Sequence, residues 1–175
     1  MKRTCVTGAM LIAALLLIPV TARASEAILP GSKPSAVQRL KIWGFEIYDA
    51  RLWTSPGFFV HQYASQTFGL EVVYLRRFEG RELAKQSIEA MKKIGTFTPA
   101  QESAWFKAMD EIFPNVAIGD QLFSVYKPNV GAEFWSRQKR LGSVSDPEFA
   151  KLFFGIWLHE DTSVPAIRQA WKSLP

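Results

Sequence analysis

The sequence is poor in the residues on which much enzyme chemistry depends. Its 175 residues include one cysteine, Cys5, and two histidines, His61 and His159. A disulfide is therefore excluded, and a zinc site of the Cys/His type is not supported, because each needs several such residues at suitable spacings. No Gly-x-Ser-x-Gly element and no Gly-rich phosphate loop occurs either. We predict no bound metal and no cofactor.

One histidine begins the tripeptide His159-Glu160-Asp161, which directly follows the apolar run 153–158. Consecutive residues of a helix point in different directions, whereas a metal site such as His-Glu-x-x-His needs its ligands on one face. We therefore interpret the tripeptide as the polar end of a buried helix, where a histidine suits the negative end of the helix dipole. Nothing in the sequence pairs it with His61.

The first 24 residues have the composition of a secretory signal peptide. Two basic residues at positions 2 and 3 precede an apolar stretch over 9–20, and residues 22–24 read Ala-Arg-Ala, which suits signal peptidase. The apolar stretch is shorter than the ~20 residues that a membrane span needs. We predict cleavage after Ala24, a periplasmic or secreted protein, and no membrane span after cleavage.

Removal of these 24 residues from the 175 leaves 151, enough for one domain with its own core. Cys5 and three of the 21 basic residues go with them, so that 18 basic residues face 16 acidic ones. This small net charge, without a clustered basic face, does not indicate nucleic-acid binding. Residues 25–36, rich in small residues, glycine and proline, are predicted to be a flexible lead-in. Residues 37–175 are predicted to form a single domain.

Alternating apolar residues predict β-strands in two parts of this domain. The first part covers residues 37–53 and 68–78, and the second covers 120–128 and 132–137. The turn residues that separate or bend these strands are Gly44, Asn129 and Gly142.

Helical spacing of apolar residues follows each group of strands. One helix is predicted over 80–95, and a second begins after Thr98, with Gln101 completing a capping box. After the later strands, helices are predicted to begin at Asp146 and at about Pro165. This order predicts an α+β fold in which helices cover one face of a mainly antiparallel sheet.

Polar side chains interrupt the predicted strands and suggest a binding site. They are Arg39, Tyr48, Arg51, Arg76 and Arg77. A guanidinium and a phenol that face an apolar cavity would bind a carboxylate-headed ligand. In the alternative interpretation, these arginines lie on the solvent face or pair with Asp49 or Glu71.

Four motifs resemble the bacterial chalcone-isomerase-like family in sequence and in order. They are GFEIYDARLW (44–53), LEVVYLRRFEGRELAKQSIEAM (70–91), FPNVAIGDQL (113–122) and LGSVSDPEFAKLFFGIWL (141–158), and TSVPAIR follows at 162–168. The resemblance extends from about Arg39 to Arg168. It implies the open-faced β-sandwich of chalcone isomerase, in which a layer of helices covers an antiparallel sheet and a ligand cleft lies between them.

The resemblance also implies a function. Related proteins without isomerase activity resemble fatty-acid-binding proteins, in which an arginine and a tyrosine hold the carboxylate, and Arg39 and Tyr48 match these. The enzyme's catalytic tyrosine has no counterpart in 80–95, and its late-helix threonine or serine falls near Gly155. We therefore expect a non-catalytic protein that binds a small amphipathic or fatty-acid-like ligand. Arg39 and Tyr48 would hold the head group, and Trp157 would line the apolar part.

Two alternatives remain open. The protein could be an intramolecular lyase or isomerase that acts on an unknown substrate through Arg39, although chalcone cyclisation is not expected. It could instead be an interaction module of the cell envelope, with the cleft filled by its own side chains. A filled space beneath Trp157 would favour the module over both other functions. The sequence names no protein partner.

Overall fold

The computed structural model of the protein describes residues 25, 27–137 and 139–172. The predicted signal peptide, residues 1–24, lies outside the described residues. The strands are β1 (Lys33–Pro34), β2 (Gln38–Ile42), β3 (Phe45–Thr54), β4 (Phe68–Tyr74), β5 (Gln121–Lys127), β6 (Gly131–Ser136) and β7 (Lys139–Val144). The helices are α1 (Gly80–Lys92), α2 (Pro99–Ile112), α3 (Pro147–Leu158) and α4 (Pro165–Lys172), and a 3-10 segment covers Val60–Ser65.

The strands form one antiparallel sheet in the order β1-β3-β4-β5-β6-β7. β2 also pairs with β3, on the same side as β1 but along the first half of the strand. α1 and α2 lie in the connection from β4 to β5, and α3 and α4 follow the sheet. This arrangement confirms the predicted α+β architecture. None of the helices within the described residues combines the length and apolarity that a membrane span requires.

The two faces of the sheet have different cover, as the alternation of side chains along a strand requires. Ala50, Leu52 and Leu70 face the helices and belong to the large core, which is rich in phenylalanine. Edge-to-face contacts tie that core together, for example between Phe68 of β4 and Phe154 of α3, with ring centroids 5.1 Å apart. The opposite face carries a smaller apolar cluster of Trp53, Phe123 and Val125.

The segment predicted to be a flexible lead-in covers part of this second face. β1 pairs with the end of β3, and Leu29 N–H donates to the carbonyl of Ser25 at 3.0 Å. Ile28 and Leu29 pack against the cluster that contains Trp53. This packing removes apolar side chains of the sheet from water, a contact that the composition of the segment does not reveal.

The predicted helix starts are confirmed by their caps. The Thr98 side chain accepts from Gln101 N–H at 3.2 Å, while Gln101 Oε1 accepts from Thr98 N–H at 2.9 Å. Asp146 Oδ1 accepts from the backbone N–H groups of Glu148 and Phe149 at 2.9 and 3.1 Å. These caps need only residues that are close in sequence, so they can be predicted locally.

The turn predicted near Gly142 is wrong. Gly142 lies inside β7, and the turn between β6 and β7 occurs at Arg137, whose φ is 54°. Ile112 of α2 packs over Gly142, and an added Cβ would lie 2.8 Å from its Cγ1. The glycine is therefore needed for close packing of a helix on the sheet and not for a turn.

Candidate functional site

A hydrogen bond joins the sheet to the helical layer at two of the predicted ligand-binding residues. The indole Nε1–H of Trp157, on α3, donates to the hydroxyl of Tyr48, on β3, at 2.8 Å. The ring centroids are 6.5 Å apart in an edge-to-face arrangement. Trp157 is only 8% exposed, whereas Tyr48 is half-buried. The structure thus brings Tyr48 and Trp157 together as one polar pair in apolar surroundings.

The Tyr48 phenol is neutral at physiological pH. Burial raises its pKa far above the ordinary value of 10, and the hydrogen bond from Trp157 acts more weakly in the opposite direction. A neutral phenol accepts a hydrogen bond and also has a proton to donate. The pair therefore suits the recognition of an acceptor such as a carboxylate, and it does not suit general-base catalysis.

Aromatic rings occupy the layer around this pair. Helical spacing places Phe149, Phe153 and Trp157 in one row of α3, with centroids 5.6 Å apart for the first two rings and 5.8 Å apart for the last two. Phe153 also contacts Phe134 of the sheet, with centroids 5.3 Å apart. The side chains themselves fill the space between α3 and the sheet at these positions.

The third predicted residue, Arg39, does not lie with the other two. In the register of β2 and β3, Arg39 is opposite Asp49, and Leu40 is opposite Tyr48. Adjacent strand residues face opposite sides of a sheet, so Arg39 and Tyr48 point away from each other. Arg39 Nε donates to Asp49 Oδ1 at 2.6 Å, and its Nη1 donates to Glu46 at 2.9 Å. The alternative interpretation, a solvent-face arginine paired with Asp49, describes this structure.

Arg51 also agrees with the alternative interpretation, in which the arginines pair with acidic residues, because its Nε lies 3.7 Å from Glu71 Oε1. Glu71 is buried on the second face of the sheet, where its Oε2 accepts from Trp53 Nε1–H at 2.7 Å. Burial raises the pKa of Glu71, while Trp53 and Arg51 lower it. No spacing rule in the sequence indicated this buried acid, because Trp53 and Glu71 meet only through the pairing of β3 with β4.

A groove at the C-terminal end of α3 brings the two histidines to one place. Adjoining cavities of about 200 and 320 Å³ share Tyr63, Lys151 and His159, and the larger one also contacts His61 and Arg168. Burial raises the pKa of Tyr63 to about 12, and Arg168 lowers it. Two acidic residues, Glu148 and Glu160, line the groove together with these basic side chains. Sequence reasoning missed this groove because the two histidines are far apart in the chain.

The tripeptide His159-Glu160-Asp161 ends α3, as predicted. His159 is the C-cap, its Nδ1 accepts from Asp161 N–H at 3.1 Å, and Glu160 and Asp161 are exposed. In the part of the chain that the structure describes, no group of three or more His, Cys, Asp or Glu side chains could hold a metal ion.

Comparison with known proteins places this architecture in a family. The family described as chalcone isomerase-like matches residues 42–170. The protein belongs to the chalcone isomerase-like family. The fold is similar to that in the crystal structure of a fatty-acid binding protein of Arabidopsis thaliana, with a TM-score of 0.61. The match covers 82% of this chain and 87% of the plant chain at 7% sequence identity, which shows a shared fold. No curated protein matches the sequence significantly.

Contacts within the structure explain why residue 155 is a glycine. Gly155 is buried in α3, at the position where the resemblance places a threonine or serine of the enzyme. An added Cβ would lie 2.9 Å from Tyr63 Oη and 2.8 Å from Ile94 Cδ1. Tyr63 donates its hydroxyl proton to the carbonyl of Lys151 at 3.1 Å, so the phenol is held where a side chain of residue 155 would project.

Proposed function

We propose that this chalcone isomerase-like protein binds a small amphipathic carboxylate, such as a fatty acid, between the sheet and α3. The observation that carries the proposal is the hydrogen-bonded pair of Tyr48 and Trp157 in an otherwise apolar layer. A phenol can donate to the carboxylate, while the aromatic row that includes Phe153 and Trp157 offers an apolar wall for the alkyl chain. The shared fold with a protein that binds fatty acids supports this ligand class.

Ligand binding would use the O–H of Tyr48 as a donor. The phenol oxygen accepts from the indole of Trp157 at 2.8 Å, and this bond does not use the phenol proton. A ligand carboxylate would accept a hydrogen bond from that O–H, and Trp157 would move aside to admit the alkyl chain. Hydrogen bonds to a charged acceptor are roughly twice as strong as bonds between neutral groups, so the phenol favours a carboxylate over a neutral lipid.

The test is ligand analysis of the purified mature protein. Organic extraction and mass spectrometry should find a bound carboxylic acid, and unlabelled fatty acid should displace a fluorescent fatty acid. Tyr48→Phe should weaken binding about 5–10-fold, which corresponds to roughly one net hydrogen bond. Arg39→Ala is the matched control and should bind as the wild type does, because Arg39 faces the other side of the sheet.

Three results would overturn this assignment. The absence of both bound lipid and fatty-acid affinity would remove the function. A loss of affinity in Arg39→Ala, with none in Tyr48→Phe, would place the ligand on the other side of the sheet. A loss confined to Lys151→Ala would place the ligand's head group in the groove at the end of α3.

A second candidate function, an interaction module with a filled cleft, is favoured by the packing beneath α3. Trp157 is almost fully buried, and the Phe153 and Phe149 rings stack at 5.6 Å. In that case the wild type would bind no fatty acid, whereas Trp157→Ala would open a cavity that takes up an apolar probe. Equal uptake by the wild type and Trp157→Ala would contradict the module.

We propose, in addition, that the protein is exported and cleaved after Ala24. The support is the basic start, the apolar stretch and the Ala-Arg-Ala sequence of residues 22–24. Intact-mass measurement of protein from the cell envelope or the medium should show a chain that begins at Ser25. A full-length mass in the cytosolic fraction alone would contradict the proposal.

A further inference from the structure

The tip of the β2–β3 hairpin, residues Ile42–Phe45, exposes large apolar side chains to water. Trp43 is 94% exposed, Phe45 56% and Ile42 44%. Single exposed apolar residues are common, but three in four consecutive positions are not explained by folding. Trp43, at 94% exposure, gains almost no packing energy, so its presence needs another cause.

The turn itself is strained by Trp43. Ile42 pairs with Phe45, and the two central residues, Trp43 and Gly44, have φ values of 49° and 82°. Such a type I′ turn requires positive φ at both positions and normally carries Asn-Gly or Asp-Gly. A bulky residue at positive φ is costly. The chain therefore maintains an unfavourable tryptophan at the most exposed point of the hairpin.

Two exposed arginines, Arg76 and Arg77, lie beside the hairpin. Leu75 N–H donates to the carbonyl of Ile47 at 3.0 Å, which places the segment 75–78 beside the hairpin. The guanidinium of Arg76 lies 4.7 Å from the centre of the Phe45 ring, and Arg77 is exposed next to it. Over residues 38–49 and 75–78, four basic residues accompany two acidic ones, and Arg39 and Lys41 pair with these acids, which leaves Arg76 and Arg77 as the excess positive charge.

A fourth exposed apolar residue, Ile118, lies at the same end of the sheet. Ile118 is 70% exposed in the loop before β5, and Gly119 N–H of that loop donates to the carbonyl of Tyr74 at the end of β4. Ile118 thus adds an exposed apolar side chain at the end of the sheet where the hairpin lies.

We propose that the hairpin tip, together with Arg76 and Arg77, is a docking surface for a lipid bilayer with anionic head groups. Tryptophan is favoured at the boundary between head groups and acyl chains, where its ring is buried and its N–H meets water. Arginines beside it gain attraction from anionic lipids. The combination of a projecting tryptophan with flanking arginines matches the chemistry of that boundary. This inference goes beyond the proposed function and does not depend on a bound fatty acid.

The test uses the mature protein and vesicles without free fatty acid. Co-sedimentation should show binding to vesicles of phosphatidylcholine mixed with phosphatidylglycerol, and weaker binding to phosphatidylcholine alone. Arg76→Gln combined with Arg77→Gln should lower partitioning to the anionic vesicles at least about tenfold. Phospholipids with brominated chains should quench the tryptophan emission of the wild type, and Trp43→Phe should bind with less quenching.

Trp43→Asn separates docking from folding. Asparagine tolerates positive φ, so this variant should melt about 1–3 °C above the wild type. It should also lose at least about tenfold in partitioning to the anionic vesicles. Phe59→Ser is the matched control, because Phe59 is 54% exposed in the loop that precedes the 3-10 segment, away from the hairpin tip. It should bind like the wild type.

Three results would overturn the inference. The first is that the wild type binds neither type of vesicle, and the second is that Trp43→Asn and Phe59→Ser lose equal amounts of partitioning to the anionic vesicles. The third is that the wild type self-associates with rising concentration in the absence of vesicles and that Trp43→Asn abolishes this association. Tyr48→Phe should leave vesicle binding unchanged. A failure of docking is therefore distinguishable from a failure of the proposed ligand site.

Discussion

Replacing Tyr48 with phenylalanine should destabilise the protein, because it removes the acceptor of the Trp157 indole N–H and changes almost nothing else. The hydrogen bond is 2.8 Å long, and Trp157 is 8% exposed, so water replaces the lost acceptor poorly. A buried donor without a partner costs about 1–3 kcal/mol. Because Tyr48 is half-buried and admits some water, we expect about 1–2 kcal/mol of lost unfolding free energy. The melting temperature should fall by about 2–8 °C for a domain of this size.

A double-mutant cycle in urea, followed by tryptophan emission and circular dichroism, isolates this interaction. Trp157→Phe keeps an aromatic ring but has no N–H to leave unpaired. In that background, Tyr48→Phe should cost much less, which gives a coupling of about 1 kcal/mol. Tyr126→Phe is the matched control, because the Tyr126 hydroxyl donates to the carbonyl of Ala64 at 2.9 Å and not to Trp157. An equal cost of Tyr48→Phe in both backgrounds, or an equally strong coupling of Tyr126 to Trp157, would show that the hydrogen bond does not stabilise the protein.

Three further predictions concern stability. Burial raises the pKa of Glu71 above 4.5, so the stability that this group contributes falls as pH rises from 4.5 through the raised value. The glutamine of Glu71→Gln can still accept from Trp53 but cannot ionise. The unfolding free energy of this variant relative to the wild type, measured in urea titrations, should therefore rise from about pH 4 to about pH 8. A fall in this difference would contradict the prediction. Gly155→Ala should cost about 1–3 kcal/mol in urea, because the new methyl group meets Tyr63; no cost would show that the phenol moves freely. Asp146→Ala should cost about 1–2 kcal/mol by loss of the cap of α3, and an unchanged melting temperature would contradict this.

Much of the fold could be predicted because its signals are local. The capping box at Thr98 and the carboxylate cap at Asp146 lie within three residues of their partners. The bend at Gly44 was predicted from its position between two apolar runs, and the structure places it in a two-residue turn. A turn was wrongly predicted near Gly142 because a glycine that admits Ile112 and a glycine that makes a turn look the same in sequence.

The candidate site could be predicted only in part, because sequence reasoning identified suitable side chains but not the faces they occupy. Tyr48 and Trp157 do meet, whereas Arg39 faces the other way. A shift of one residue in strand register exchanges the two faces of a strand, and the register of β2 on β3 contains an irregularity after Leu40. Register depends on pairing and burial across the whole sheet, which no short motif encodes.

The order of strands and helices, the helix starts and the family can be read from the sequence, since these depend on neighbouring residues or on motifs in a fixed order. Which polar groups meet depends on the tertiary structure. It joined Trp53 to Glu71 across two strands, brought His61 and His159 to one groove, and left Trp43 in water. The physical reason is that contacts between distant segments are selected by packing of the whole core, whereas caps and turns are satisfied within a few residues of the same chain.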